Sequence, residues 1–223
     1  MKIGIIGTHG IGKTTLAAQM FAHASKTGRK AKLIHEVARS CPLPINEKFT
    51  VKAAAWIVAK HITLGIEAEA GGYDYIICDR SSFDPVIYAI NLIPEDLKAK
   101  RYYRSSPLYK FAERDLRAYD VLVYLKSSNA QILGDGIRSI DEEFQKKIAK
   151  IFEEELFNMG IDFVSYESQP TIEMPTRHIS MDSKDVFVKD NSDFFEHIFK
   201  KLPLCLPDQS PKFLNFAPYS ERL

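Results

Sequence analysis

The sequence predicts an α/β protein built on a doubly wound, mostly parallel five-stranded sheet with an irregular C-terminal extension. Three observations predict it. Short apolar runs alternate with segments of helical period, the pattern left by successive βαβ units. Two of the runs, Tyr75-Ile76-Ile77-Cys78 and Val121-Leu122-Val123-Tyr124-Leu125, are apolar without interruption, as strands buried on both faces must be. A glycine-rich turn from Gly7 to Gly12 joins the first apolar run to the first amphipathic segment, the place where such folds hold ligands.

In chain order, Ile3-Gly4-Ile5-Ile6 is the first strand. Leu16, Ala17, Met20, Phe21 and Ala24 recur on one helical stripe that stops near Gly28, a residue suited to closing a helix. Ala31 to Val37 follows as the second strand, and Val51, Ala55, Val58 and Ile62 form the apolar face of a longer helix. The third strand, Tyr75 to Cys78, ends in Asp79. Asp84-Pro85 reads as an N-cap followed by proline at the first helical position, and Ser106-Pro107 repeats the signal. After the fourth strand, Val121 to Leu125, Ser139-Ile140-Asp141-Glu142 fits a capping box. The helix it opens carries Phe144, Ile148, Ile151, Phe152 and Leu156 inward and closes at Gly160, and Asp162 to Tyr166 is the fifth strand.

A chain of 223 residues has room for one domain with an appendage. All 11 glycines lie at or before Gly160, whereas six of the 11 prolines lie at or after Pro170. That shift divides the chain into a core over residues 1–168 and an extension over 169–223 that packs back on it. Phe194, Phe195, Ile198 and Phe199 fit one helical face there, with Phe213 and Phe216 beyond. A formal charge of +1 supplies no field for general nucleic-acid binding. Cys41, Cys78 and Cys205 form no metal or disulfide framework and read as reduced thiols. The apolar run after Met1 is too short for a secretory signal, and Lys52 and Lys60 interrupt the best membrane-span candidate. A soluble cytoplasmic protein is expected, with self-association into a homo-oligomer left open.

Gly7-Thr8-His9-Gly10-Ile11-Gly12-Lys13-Thr14 matches G-x-x-x-x-G-K-[ST] in full. Its glycines let the loop wrap a phosphate group closely, successive main-chain N–H groups point at the oxygens, and the following helix adds a favourable dipole. Residues Gly7 to Thr15 are therefore the predicted phosphate cradle. Lys13 would neutralise the β- and γ-phosphates and the Thr14 hydroxyl would ligate Mg²⁺. His9 reads as a solvent-facing member of the loop. Asp79 should emerge beside the loop as the second Mg²⁺ partner, directly or through water, with Arg80 free to meet a phosphate or the substrate's anionic group, or else paired with Asp79. Glu36, at the end of the second strand, faces the cleft where an acceptor hydroxyl would sit and can orient it or take its proton. Arg39 is a candidate to hold the acceptor, the alternative being a solvated charge. Arg138, in Gly134-Asp135-Gly136-Ile137-Arg138, sits in a loop able to close over the nucleotide. Lys98, Lys100, Arg101 and Arg104 read as a solvated linker face beside Glu95 and Asp96.

Neither a guanine-reading Asn/Thr-Lys-x-Asp segment nor a Leu-Ser-Gly-Gly-Gln segment occurs, which leaves a small phosphotransferase as the leading reading. Taken together, Gly7 to Thr14, His35-Glu36-Val37-Ala38-Arg39, Cys78-Asp79-Arg80-Ser81 and Asp135-Gly136-Ile137-Arg138-Ser139 resemble one phosphate-loop family over residues 1–168. It is the family that includes the ribosylnicotinamide kinase domain of bacterial NAD-biosynthesis regulators. A more distant likeness runs to the deoxynucleoside and nucleoside-monophosphate kinases. The resemblance implies ATP as donor, Mg²⁺, Glu36 or Asp79 near the acceptor hydroxyl, and Arg138 in a lid. The expected activity is transfer of the γ-phosphate to the hydroxyl of a small nucleoside-like acceptor, for which Trp56, Phe83 and Tyr88 could stack a flat base. The competing expectation is an ATP- or GTP-dependent switch that meets a protein or lipid partner through its C-terminal section.

Overall fold

The computed structural model describes residues 1–45, 48–94, 96–127, 142–168, 177–181, 184–188, 194–195 and 198–199. Five strands form one parallel sheet in the order β2-β3-β1-β4-β5: β1 Lys2–Ile6, β2 Ala31–Ile34, β3 Tyr75–Asp79, β4 Val121–Ser127 and β5 Val164–Ser168. The helices are α1 Lys13–Lys26, α2 Val51–Ala70, α3 Asp84–Asn91, α4 Leu97–Arg104, α5 Pro107–Leu116 and α6 Glu142–Met159. Both central strands, β1 and β3, are buried at every position, so their uninterrupted apolar character follows from coverage on both faces. One core layer joins Val58, Ile62, Phe83, Ile87, Leu116 and Phe152 on one side of the sheet. The other joins Leu16, Met20 and Ile77 with Phe194, Phe195 and Ile198, and Phe194 lies 4.7 Å from Tyr166 between ring centres. The extension also contains an antiparallel hairpin, β6 Arg177–Met181 with β7 Lys184–Val188, which the sequence pattern does not announce.

Four local expectations need correction. The second strand does not run to Val37: it stops at Ile34, and Glu36 leads into a 3₁₀ turn over Val37–Ser40. The turn buries Val37 with Phe49, Ala53 and Ile57 and swings the Glu36 carboxylate inward. On α2 the buried face is Ala53, Ala54, Ile57, Val58, His61 and Ile62, while Ala55 is exposed and Val51 is 49% exposed. Small alanines allow close helix approach, which outweighs the larger side chains one helical step away. Asp84 is the first residue of α3 and Phe83 its N-cap; the Asp84 carboxylate instead accepts from Ser81 N at 2.9 Å and Ser81 Oγ at 2.8 Å. The basic segment after Asp96 is α4, capped by the Asp96 side chain accepting from Lys98 N. Its Arg104 is no free linker charge, since its Nε donates to Glu155 Oε1 at 3.0 Å. Ser106 caps α5 as the sequence implies.

Candidate active site

β1 delivers the chain into a loop whose three glycines all take positive φ: Gly7 at 135°, Gly10 at 75° and Gly12 at 89°. Gly12 then serves as the N-cap of α1, which has no side-chain cap and no acidic residue in its first turn. The unpaired N–H groups of that turn are thus left for an anion. Thr14 and Thr15 are exposed at this end. Lys13 is only 4% exposed, and its Nζ donates to the Thr8 carbonyl oxygen within the loop. Burial, reinforced by the neighbouring Arg80 guanidinium, holds its ammonium well below the usual lysine range. A Cβ at Gly7 would stand 2.6 Å from the Leu125 carbonyl oxygen. Gly7→Ala is accordingly expected to cost about 1–3 kcal/mol in urea unfolding, by forcing a strained conformation as well as a clash, and to abolish calorimetric MgATP binding.

Asp79 ends β3, opposite Ile5 of β1, so it lies on the sheet edge from which the loop springs. It is 2% exposed, and neither carboxylate oxygen has a hydrogen-bond partner among the described residues. A buried carboxylate left in that condition is costly unless a cation or water completes it. That chemistry fits a divalent cation, for which the exposed Thr14 at the start of α1 is the candidate second protein ligand. Among the described residues no group of three or more His, Cys, Asp or Glu could hold a metal by itself. A magnesium ion here would therefore draw its remaining ligands from phosphate oxygens and water, as Mg²⁺ commonly does.

Arg80 does not pair with Asp79. Its backbone takes φ 82°, and the side chain donates from Nε to Glu36 Oε1 at 2.6 Å and from Nη1 to Asp84 Oδ1 at 3.3 Å. Burial opposes the Arg80 charge, yet Glu36, Tyr88 and Asp84 together raise its pKa. Burial pushes the Asp84 carboxyl up, against Arg80, Lys13 and Ser81, which pull it down. Glu36 also accepts from Arg39 Nε at 2.9 Å, with the Arg39 side chain 42% exposed at the rim. These residues line a cleft together with the apolar side chains of Ile45, Phe49 and Ile57, the combination of apolar lining and a few convergent polar groups found in small-molecule sites.

His9 is not solvent-facing. It is 4% exposed, lines the same cleft, shares a 3.2 Å hydrogen bond through Nδ1 with Tyr88 Oη, and packs 5.6 Å from the Phe144 ring. Its carbonyl accepts from Gln145 Nε2 at 2.8 Å, so the opening turns of α6 are tied to the phosphate loop. Of the three aromatic candidates, Tyr88 lines the cleft, whereas Phe83 is core and packs edge-on against Tyr109, and Trp56 lies beside the Val37 cluster. Phe49, His61, Ser81 and Asp84 also line the cleft, although the sequence marks none of them as a site residue. The Asp-Arg-Ser run followed by Asp84 was the available signal for the last two. Arg138 and its glycine-flanked segment lie outside the described residues. Among the described residues no helix is long and apolar enough to cross a membrane.

Comparison with solved structures gives the fold independent support. The chain resembles deoxyadenosine kinase from M. mycoides with products dCMP and a flexible dCDP bound, at 18% identity and TM-score 0.52, over 90% of this chain and 98% of that one. The same kinase with bound dATP aligns at 20% identity and TM-score 0.52, over 78% and 92%. Thymidylate kinase from Ehrlichia chaffeensis aligns at 14% identity and TM-score 0.54, over 91% and 98%. At such identities the likeness establishes a shared fold. No curated protein sequence matches the chain. A family profile does, spanning residues 2–173 and so the whole five-stranded sheet and its phosphate loop, and on that match the chain belongs to the AAA domain family.

Proposed function

We propose that the protein is an ATP-dependent phosphotransferase that moves the γ-phosphate to the hydroxyl of a small nucleoside-like acceptor in the cytoplasm. The observation that carries this reading is the continuity of the two halves of the site: His9 belongs to the phosphate loop and also lines the cleft that holds Glu36, Arg39, Arg80 and Tyr88. An acceptor in that cleft would lie next to a bound triphosphate, and such positioning is the larger part of phosphoryl-transfer catalysis. The structural likeness to nucleoside and nucleotide kinases and the resemblance to ribosylnicotinamide kinase domains both support a nucleoside-like acceptor.

In this reading Lys13 leaves the Thr8 carbonyl for the β- and γ-phosphates, and main-chain N–H groups of Gly10 to Thr15 surround their oxygens. Mg²⁺, held by Thr14 and Asp79, would neutralise charge on the same phosphates. Glu36, already accepting from two guanidinium groups, is better suited to orienting the acceptor hydroxyl than to taking its proton early. That agrees with the loose transition state of phosphoryl transfer. Arg80, beside Lys13, can follow charge onto the transferred group. The test is ADP release from MgATP across a panel of nucleosides, nicotinamide riboside among them, nucleoside monophosphates and vitamins. At least one nucleoside-like alcohol is expected to raise the rate on the order of 10²-fold, the scale that acceptor positioning supplies. If none does, and slow acceptor-free hydrolysis alters protease sensitivity after residue 170, the switch reading replaces this one.

A further inference from the structure

Among the described residues Arg80 is the only non-glycine with positive φ, a conformation that persists only where the surroundings impose it. The peptide group between Arg80 and Ser81 is held at both ends. Ser81 N–H donates to Asp84 Oδ2 at 2.9 Å, and the Arg80 carbonyl oxygen is bonded by His61 Nε2 at 3.2 Å. The Arg80 N–H is also fixed, donating to Ile5 O at 3.0 Å. A peptide pinned in this way cannot flip, and its orientation decides where the Arg80 side chain leaves the main chain.

His61 comes from α2, 19 residues earlier in the chain, and is 1% exposed on the wall of the cleft. We infer that His61 is a positioning residue: by donating Nε2–H to the Arg80 carbonyl it holds the left-handed turn that carries the Arg80 guanidinium to Glu36 and Asp84 beside the phosphate loop. A carbonyl oxygen only accepts, so the bond assigns the proton to Nε2 and leaves Nδ1 as a lone pair. Nδ1 has no hydrogen-bond partner among the described residues, consistent with a ring retained for what Nε2 does. Burial pushes the imidazole down to about 4, which keeps the ring neutral at physiological pH. The importance of Arg80 rests on the phosphotransferase reading, but the geometry asserted for His61 is a property of the free protein.

Two measurements on the full chain decide it. In ¹⁵N-histidine NMR at neutral pH, the resonance assigned by its loss in His61→Gln is expected to show a neutral ring protonated at Nε2. In ¹⁵N-arginine spectra, the Arg80 Nε–H is expected to exchange roughly tenfold or more faster in His61→Leu than in wild type, as local opening predicts. In His61→Gln, whose amide can donate to the same carbonyl, exchange should remain slow. Arg104, whose Nε donates to Glu155 away from the cleft, is the control, because general loosening would speed both arginines and loss of positioning only Arg80. An Nδ1–H tautomer or an imidazolium in the wild type overturns the inference, even if His61→Leu fails to fold. So does His61→Leu with wild-type Arg80 exchange, or with Arg104 speeding equally. Neither failure touches the acceptor assay, on which the phosphotransferase reading stands separately.

Discussion

Replacing Lys13 with alanine is expected to lower acceptor-dependent ADP release by at least about 10³-fold, the scale on which preorganised charge stabilises phosphoryl transfer, while leaving the fold intact or more stable. The second half of this expectation comes from the site itself. Lys13 is buried beside Arg80, and both burial and that neighbouring cation hold its pKa well below the ordinary lysine value. A base whose pKa falls on folding makes the native state bind fewer protons than the unfolded chain between the two pKa values. Wild-type stability should therefore rise with pH across that window, and the alanine variant should lack the rise. Its advantage should be greatest below the window, where the wild type carries the buried charge. Urea unfolding at several pH values and the ADP assay together check both halves. Turnover within tenfold of wild type would remove Lys13 from the transferring group. Equal pH dependence in the two proteins would contradict the electrostatic account.

The phosphate loop was legible because its information is local: three glycines at fixed spacing, a preceding apolar strand and a following amphipathic helix state the geometry without any distant contact. Asp79 was placed correctly at a strand end for the same reason. The relation of Arg80 to its partners was not legible. The sequence leaves Arg80 to meet a phosphate or the substrate's anionic group, or else to pair with Asp79, but the φ of 82° turns it toward Glu36 and Asp84. Positive φ in a non-glycine residue leaves no mark in composition. His9 was misplaced because its burial depends on Tyr88, 79 residues on, and on Phe144 of α6. His61 was invisible for a related reason. It sits on the inward face of a helix between Val58 and Ile62, where periodicity records that a side chain faces in and not what its polar atom meets.

Glu36→Gln should separate binding from turnover. Glutamine keeps the shape but replaces one acceptor oxygen with an NH₂ group, so at least one of the two guanidinium groups now faces a donor. Arg80 is the more affected, since both members of that pair are nearly buried, with side chains 10% and 7% exposed. Removing the Glu36 charge leaves the buried Arg80 only its longer contact to Asp84 Oδ1 at 3.3 Å, at a cost on the order of 1–3 kcal/mol. Arg39, 42% exposed, can be rehydrated, so Arg39→Ala should cost no more than about 1 kcal/mol. MgATP affinity in Glu36→Gln should stay within a few-fold of wild type, because in the proposed site the nucleotide is held by the loop main chain, Lys13 and Thr14. Turnover should fall roughly 10²-fold or more, since the acceptor hydroxyl loses its orienting carboxylate and Arg80 loses its anchor together. Titration calorimetry with MgATP, urea unfolding and acceptor-stimulated ADP release resolve the three quantities. Wild-type turnover in a destabilised protein would show that Glu36 serves the fold by fixing Arg80 and has no contact with the acceptor. Lost nucleotide binding would mean that the Glu36–Arg80 pair extends its control to the phosphate loop.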